Sequence, residues 1–433
     1  MRPRNAELSM LILSIVIALA TFVLVDFSRS SHVSPDLAKF MIAFTALAIL
    51  GHIAIRRLAP TADPLLYPIA ILLAGFGYGF IRRLAPDLAS AQLGWIAIGM
   101  VAFIATLAIV RDHRQLDQFR YSFLLLGIAL LLLPLSPIGS TLGRGVKLWV
   151  RLGPLAFQPA ELAKVVLALF LAGYLASKRE VMTITTARVG PLGLPAPRHF
   201  GPLFLAWGLS LAVMFYERDL GSSTLFFALF VITLYAATSR SAYALAGIVM
   251  FSGGVWYAYN HFAHVSIRIC AWLHPWSATD IQCGINGAGR QIAQSAFALG
   301  SGGLTGTGLG LGHPQLIDPG LRSGTLPTDF IFAAIGEEIG FIGTVAILLL
   351  FGLIAARGFH IALRSRDTFG TLLATGLTVI ITVQALLIMG GVSRLLPLTG
   401  ITLPFVSYGG SSIFANFILI ALLIRISDGE AVT

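Results

Sequence analysis

The chain has 433 residues, of which 57% are hydrophobic and only 11% are charged. Soluble globular domains carry roughly 25% charged residues, so this composition excludes an ordinary cytosolic enzyme and a disordered or fibrous protein. The net charge of +10 does not indicate nucleic-acid binding, because no basic domain carries it and the basic residues lie in short loops between apolar runs. The composition therefore predicts an all-α protein that crosses a membrane many times.

About twelve apolar runs follow one another along the chain, and a membrane-spanning helix needs about 20 apolar residues. The first run follows Arg2 and Arg4 without a small-residue cleavage pattern, so it is interpreted as a retained helix rather than a signal peptide. The predicted spans are 8–25, 37–55, 65–80, 93–110, 121–138, 160–176, 203–216, 222–238, 242–262, 328–356, 369–391 and 403–424.

An even number of spans places both termini on one side of the membrane. The basic residues favour the cytoplasm for that side, because positively charged loops stay inside. The bias is weak, since the loops assigned to the outside also contain basic residues. Each of these alone is explained by capping a helix at the headgroup level, whereas the group favours an anionic lipid or phosphate ligand. They are Arg82, Arg83, Arg144, Lys147, Arg151, Arg218, Arg268, Arg290, Arg322 and Arg394.

The outer loop 263–327 is much longer than the others, and loops beyond about 15 residues are usually functional or disordered. It is rich in glycine, contains the amphipathic stretch from Gln291 to Leu299, and carries aromatic residues that a flexible linker would lack. We expect a partly folded, partly re-entrant cap over the outer mouth of the bundle. Cys270 and Cys283 lie in this loop on the oxidising side, so a disulfide between them is expected.

Asp329 follows Pro327-Thr328 at the beginning of the tenth span, near the outer surface. The helix dipole favours an ionised carboxylate there. Beside a glycine-rich, basic loop, such a carboxylate could act as a general base on a sugar hydroxyl. The alternative is ordinary capping by an acidic residue in a first helical turn.

Glu337 and Glu338 lie deeper in the same span. Adjacent helical residues diverge by about 100°, so at most one of the two can point directly at a given cavity. A buried, hydrogen-bonded carboxyl and a contact with substrate are both open interpretations.

Glu161 and Lys164 lie three residues apart on one helical face, which predicts an ion pair. Asp219 lies in a tight outer turn and could be a helix cap, a metal ligand or a second carboxylate in the cavity of Asp329. No Cys/His array has zinc-ligand spacing, and Ser407 does not lie in a nucleophile elbow.

Six sequence blocks stand in an order that resembles the SEDS family (shape, elongation, division and sporulation), which includes FtsW, RodA and SpoVE. The resemblance extends from about residue 65 to the end of the chain, and the last two blocks are highly specific. The blocks are Phe157–Lys164 (FQPAELAK), Asp219–Gly221 (DLG), Gln294–Gly303 (QSAFALGSGG), Gly306–Gly310 (GTGLG), Thr328–Gly340 (TDFIFAAIGEEIG) and Pro397–Ser412 (PLTGITLPFVSYGGSS).

The resemblance implies a ten-helix glycosyltransferase core, assigned here to 61–433. The apolar runs predict an additional N-terminal pair of helices at 1–60, on which the resemblance gives no information. The resemblance also implies a peptidoglycan glycosyltransferase that polymerises lipid II on the outer face of the cytoplasmic membrane, with inversion at C1 of MurNAc and release of undecaprenyl diphosphate. The implied partners are a class B penicillin-binding protein, which supplies the transpeptidase, and other elongasome or divisome proteins. Short terminal tails favour the elongation (RodA-like) branch over the division branch.

The family's essential outer-mouth aspartate matches Asp329, which is therefore the expected catalytic residue. A tryptophan of the family's first large outer loop matches Trp149, with Lys147 beside it. A divalent cation, Mg or Mn, is a candidate cofactor without assigned ligands. The expected substrate-binding residues are Lys147, Trp149, Arg151, Glu161, Lys164, Asp219, Glu337 and Ser411.

Two competing hypotheses are a transporter that flips lipid II through the same cavity and a non-enzymatic scaffold for a cell-wall complex. A transporter should show inverted halves and midplane ionisable residues that serve both sides. The candidate residues instead cluster at the outer mouth, which favours a polymerase. A scaffold predicts that Asp329 is replaceable.

Overall fold

The computed structural model describes residues 3–30, 35–140, 147–153, 155–183, 187–189, 192–194, 208, 219–277, 279, 283–284, 286–319 and 324–429. The first half of the described chain contains six α-helices: α1 (Pro3–Ser30), α2 (Pro35–Leu58), α3 (Leu66–Leu84), α4 (Pro86–Ile109), α5 (Arg120–Leu132) and α6 (Pro159–Thr183). The second half contains α7 (Leu220–Thr238), α8 (Ser241–His261), α9 (Ala263–Leu273), α10 (Gly289–Ser301), α11 (Ile331–Arg364), α12 (Thr368–Val392) and α13 (Gly410–Gly429).

Short elements connect the helices. Three 3₁₀-helices cover His113–Phe119, Leu133–Leu135 and Pro314–Leu316. An antiparallel sheet between α5 and α6 has the order β1 (Gly139–Ser140), β2 (Trp149–Leu152), β3 (Leu155–Phe157), and a hairpin after α6 pairs β4 (Ala187–Val189) with β5 (Leu192–Leu194). In the first sheet Trp149 pairs with Ser140, and Arg151 pairs with Ala156.

Nine of the described helices are long and apolar enough to cross a membrane. They are α1, α2, α4, α6, α7, α11, α12, α13 and the helical segment that contains α5. The long helices α3 and α8 coincide with the predicted spans 65–80 and 242–262. The predicted span 203–216 falls outside the described residues, apart from position 208. The chain is a multi-pass membrane protein, as its composition predicted.

The centre of the bundle consists of α6, α12 and α13, which are the most deeply buried spans. Helix α13 packs against α4 and α6, α12 packs against α11, α6 and α7, and α1 packs along α3. Most residues of α13 are buried, including Asn416 and Arg425. The N-terminal pair therefore lies against the remaining helices through α3 and α4.

Both chain ends reach the same loop, 59–63. Arg4 donates to the carbonyl oxygen of Ala62, and Thr61 N–H donates to Asp428 Oδ1 over 2.8 Å. These contacts place both termini at one end of the bundle, which we call the terminal end. The opposite end, where α3 finishes and the described part of the loop 263–327 lies, is called the loop end.

Helix α11 contains a break at Gly340, where φ is +69°. The sequence predicted one unbroken span at 328–356, but the structure begins the helix at Ile331 and divides it into a short helix, 331–339, and a longer one. The glycine loop, defined here as residues 302–313, supplies backbone partners on both sides of the break. Thr307 N–H donates to Glu337 O over 2.9 Å, and Phe341 N–H donates to Gly303 O over 2.9 Å.

The break requires glycine for two reasons. A positive φ is unfavourable for side chains with a Cβ. In addition, a Cβ on Gly340 would overlap the amide nitrogen of Gly306. Glycine thus allows the glycine loop to approach the backbone of α11.

The long loop 263–327 is partly folded, as expected. It contains α9, α10 and the 3₁₀-helix Pro314–Leu316. A disulfide joins Cys270 and Cys283, whose Cα atoms are 5.6 Å apart; this is the pairing that the sequence predicted. Trp272 Nε1 donates to Arg394 O over 3.0 Å, which ties α9 to the segment that follows α12.

Candidate active site

Asp329 lies at the loop end, in the turn immediately before α11. Its N–H donates to Thr325 O over 2.8 Å, and its side chain is half-buried. Sequence analysis placed it in the first helical turn, but α11 begins two residues later, at Ile331. The backbone of Asp329 is therefore held by a turn that directly precedes the helix.

Two charged side chains lie close to Gly400. A Cβ on Gly400 would lie 3.7 Å from Asp329 Oδ2 and 3.7 Å from Arg268 Nη2. The backbone of Gly400 has φ +76°, which a glycine adopts without strain. The Asp329 carboxylate and the Arg268 guanidinium therefore border the same small space, at the surface of the segment 399–402.

Arg268 reaches this space from α9. Its Nη1 donates to Thr399 O over 2.9 Å, which fixes the guanidinium against the segment 399–402. The sequence included Arg268 only as one of ten outer basic residues. Its basic character in a predicted outer loop was the signal for Arg268 in the sequence. Only the fold shows which of these basic residues lies beside Asp329.

The turn that carries Asp329 is anchored by the segment that follows Gly400. Ser407 Oγ donates to Thr328 O over 2.5 Å and accepts from Leu403 N–H over 2.9 Å. Tyr408 N–H donates to Pro327 O over 2.9 Å. Ser407 thus has a positioning role, which agrees with its lack of a nucleophile motif.

Asp219 caps α7, which was one of the three interpretations from sequence. Its Oδ1 accepts from Ser222 N–H over 3.0 Å, and its Oδ2 accepts from Ser222 Oγ over 2.7 Å. The charges of Arg268 and Glu161 also act on Asp219. The cap therefore belongs to the same electrostatic cluster as Arg268.

The predicted ion pair between Glu161 and Lys164 is confirmed, with Lys164 Nζ 2.6 Å from Glu161 Oε2. Both residues are buried at the start of α6. Gln384 of α12 extends the pair, because its Oε1 accepts from Lys164 Nζ over 2.6 Å and its Nε2 donates to Thr402 O over 2.8 Å. A polar chain thus connects the buried pair to the segment that borders Asp329.

Glu337 and Glu338 are both buried and both bind the glycine loop. Glu337 Oε1 accepts from His313 N–H over 2.8 Å, and Glu338 Oε2 accepts from Gly310 N–H over 2.7 Å. The sequence predicted that at most one of the two carboxylates points directly at a given cavity. In the structure, the glycine loop binds both carboxylates. The geometry thus favours the interpretation as buried, hydrogen-bonded carboxyls.

The remaining candidates lie apart from this cluster. Lys147 and Arg151 are exposed, and Trp149 is half-buried, on or beside β2. Ser411 is buried, and its Oγ accepts from Gln158 N–H over 2.7 Å, which ties the start of α6 to α13.

Among the described residues, no group of three or more His, Cys, Asp and Glu side chains could by itself hold a metal ion. Asp219 and Asp329 both have the guanidinium of Arg268 nearby.

The fold and the site define a polytopic membrane protein with a cluster of ionisable residues at one end of its bundle. The family model described as a cell cycle protein, which covers FtsW, RodA and SpoVE, matches residues 85–431. The peptidoglycan glycosyltransferase RodA of Mycobacterium tuberculosis (strain H37Rv) is 40% identical over 98% of this chain and 91% of its own length. The chain belongs to the FtsW/RodA/SpoVE family and is a membrane-embedded glycosyltransferase.

Solved structures support the same fold. A chain from a structure described as coordinating polymerization and crosslinking in a peptidoglycan synthase complex has a TM-score of 0.68 and 24% identity, over 86% of this chain and 99% of that one. RodA of Thermus thermophilus has a TM-score of 0.58 and 23% identity, over 86% of this chain and 98% of its own. The mycobacterial match covers 98% of the chain, so it also includes the N-terminal pair.

Proposed function

We propose that this chain polymerises lipid II into β-1,4-linked glycan strands on the outer face of the cytoplasmic membrane. The observation that carries the proposal is the placement of Asp329 beside Arg268, across Gly400, in a chain 40% identical to a peptidoglycan glycosyltransferase. A carboxylate next to a fixed cation suits a reaction that removes a proton and releases an anionic leaving group.

In the proposed reaction, the 4-hydroxyl of the GlcNAc of lipid II attacks C1 of the MurNAc at the lipid-linked end of the growing strand. Asp329 accepts the hydroxyl proton as the C–O bond forms. The bond from C1 to the diphosphate breaks, and undecaprenyl diphosphate leaves with the bonding electron pair. Attack opposite the leaving group inverts the anomeric centre, so one carboxylate suffices and no covalent intermediate is required.

Basic residues are proposed to offset the charge of the leaving diphosphate. Arg268 is the best placed, because its guanidinium borders the same space as Asp329 and is held by Thr399 O. The exposed Lys147 and Arg151 are proposed to attract the diphosphate from the sheet beside the bundle, with Trp149 contacting a sugar. The positive charge of Lys164 is paired with Glu161 inside the protein.

The other candidate residues around the site are bonded to groups of the protein itself. Asp219 and Ser411 are already hydrogen-bonded inside the protein, to Ser222 and Gln158. Glu337 holds the backbone of His313. We propose that these residues, like the pair of Glu161 and Lys164, hold the segments that form the substrate site and do not contact the substrate directly.

We propose that the loop end faces outward and that both termini are cytoplasmic, because lipid II is polymerised outside. We also propose a class B penicillin-binding protein as the partner, within an elongasome or divisome. The support is the similarity of this fold to a chain from a synthase complex that coordinates polymerization with crosslinking.

The test uses the purified chain with its penicillin-binding protein, fed with lipid II and assayed for glycan strands. Asp329→Asn keeps the shape of the side chain and removes the base, so polymer should fall by about 100-fold or more. Asp87→Asn, an exposed aspartate in the first turn of α4, is the matched control and should retain activity.

The outcomes separate the hypotheses. Equal polymer from wild type and Asp329→Asn would move the base to another residue. An absence of polymer from wild type with an active partner would refute the polymerase and favour a lipid II transporter.

A further inference from the structure

A residue from a distant helix binds the glycine loop. Arg83, near the end of α3, donates from Nη2 to Gly310 O over 3.0 Å and to Gly312 O over 3.2 Å. Its Nε lies 3.4 Å from Glu338 Oε1. One guanidinium thus bonds the loop and pairs with a carboxylate of the short helix 331–339.

The partners of Arg83 are themselves connected. Glu338 is fully buried, and its second oxygen accepts from the amide of Gly310, whose carbonyl accepts from Arg83. A buried carboxylate needs such partners, because removing one leaves an uncompensated charge. Arg83, Gly310 and Glu338 therefore form a closed unit, which we call the latch.

The latch acts on the segment that carries the proposed base. The short helix 331–339 begins two residues after Asp329 and ends at the break at Gly340. A helix of this length has few internal bonds, so tertiary contacts must fix its position. The glycine loop supplies these contacts through Thr307 and Gly308, which donate to Glu337 O and Glu338 O over 2.9 and 3.0 Å.

Helix α1 of the N-terminal pair lies beside the latch but is not part of it. Ser28 of α1 approaches Gly310 so closely that a Cβ on Gly310 would overlap the Ser28 side chain. Arg82, next to Arg83, binds Asp26 of α1 with Nη2 2.8 Å from Oδ1. Arg82 thus anchors α1, whereas Arg83 holds the glycine loop.

We propose that Arg83 is a positioning residue for the polymerase reaction, because it fixes the glycine loop on Glu338 and thereby the turn of Asp329. This inference rests on the proposed function. Arg83 contacts Gly310, Gly312 and Glu338, so we expect its loss to slow the reaction of bound substrate rather than to weaken substrate binding. The glycine-rich motif thereby has a mechanical role.

The test compares Arg83→Gln with Arg82→Gln, which removes the same charge from the neighbouring residue and spares the loop. Glycan synthesis and hydrogen exchange are measured on the full chain with its partner. Arg83→Gln should lower the rate at saturating lipid II by about 10- to 100-fold with little change in KM, since a misplaced catalytic group slows the chemical step. Amides of residues 303–313 should exchange faster. Arg82→Gln should do neither.

Arg83→Lys provides a second variant if Arg83→Gln does not fold. It keeps the charge opposite Glu338 but loses the planar donors, so partial activity and intermediate exchange are expected. Unchanged exchange in folded Arg83→Gln, a loss confined to KM, or an equal loss in Arg82→Gln would overturn the proposal. If wild type makes no polymer, the proposed function fails, and the exchange measurement alone decides whether Arg83 holds the loop.

Discussion

The buried charges at the loop end are mostly neutralised by neighbours within the protein. Lys164 is bound by Glu161 and Gln384, and Glu338 is bound by Gly310 and paired with Arg83. A buried charge without compensation is costly, so these contacts stabilise the fold. Asp329 lies half-buried beside Gly400, where it borders the same small space as the Arg268 guanidinium.

At the scale of single residues, we expect Arg268→Gln to reduce glycan synthesis by about 10- to 100-fold. The substitution removes a fixed cation from the reacting site and so weakens the stabilisation of the negative charge that develops on the leaving diphosphate. The loss should appear mainly in kcat, and Arg268→Lys should recover part of it. Arg290→Gln, which removes an exposed arginine of α10, is the control and should retain full activity. An active Arg268→Gln would assign the diphosphate to other basic residues.

Connections between elements depend on a few polar contacts at their ends. Asp367 begins α12 and accepts from Gly370 N–H over 2.7 Å, while its Oδ2 lies 2.9 Å from His113 Nε2. Burial alone would raise the pKa of Asp367, but the hydrogen bonds from His113 and Gly370 outweigh it and lower the pKa to about 2. The ionised carboxylate therefore ties α12 to the 3₁₀-helix His113–Phe119.

This shift predicts a pH-dependent contribution to stability. Because the folded pKa is lowered from 3.8, the contribution is complete above about pH 4 and is lost as the pH falls towards 2. Asp367→Asn should reduce the free energy of unfolding at pH 7 by on the order of 2 kcal/mol, and the difference from wild type should shrink at pH 3. Thermal unfolding in detergent measures both, with Asp87→Asn as the control. A difference that is constant with pH would contradict the assignment.

At the scale of the molecule, the two ends of the bundle differ in what holds them. The terminal end is joined by ion pairs and caps, such as Arg357 with Asp63, and Arg425 Nη1 donating to Leu58 O over 2.7 Å. The loop end contains the disulfide, the glycine loop and the ionisable cluster. The proposed chemistry requires that this second end faces outward.

We therefore expect a green fluorescent protein fused to either terminus to fluoresce in cells, and alkaline phosphatase fused at the C-terminus to be inactive, because both ends should be cytoplasmic. Alkaline phosphatase fused after His261, at the end of α8, should be active. Active phosphatase at the C-terminus would place Asp329 on the cytoplasmic side and refute outer polymerisation at this site.

The amino-acid sequence was sufficient to predict most of the spans within the described residues, because backbone groups in lipid must be satisfied within long apolar helices. It also determined the pair of Glu161 and Lys164, whose spacing brings them together within one helical turn. The disulfide between Cys270 and Cys283 was predictable from the sequence for a similar reason, because only a short loop separates the two residues. The motif blocks gave the family.

The tertiary structure alone decided which residues meet. Arg268, Asp329 and Gly400 come from three separate segments, so no local period could select Arg268 from the other outer basic residues. The break at Gly340 also depends on a remote partner, because the glycine loop replaces bonds that an isolated helix would make internally. Helical periodicity specifies the direction of a side chain from its own axis, whereas the identity of its neighbour depends on the packing of distant elements.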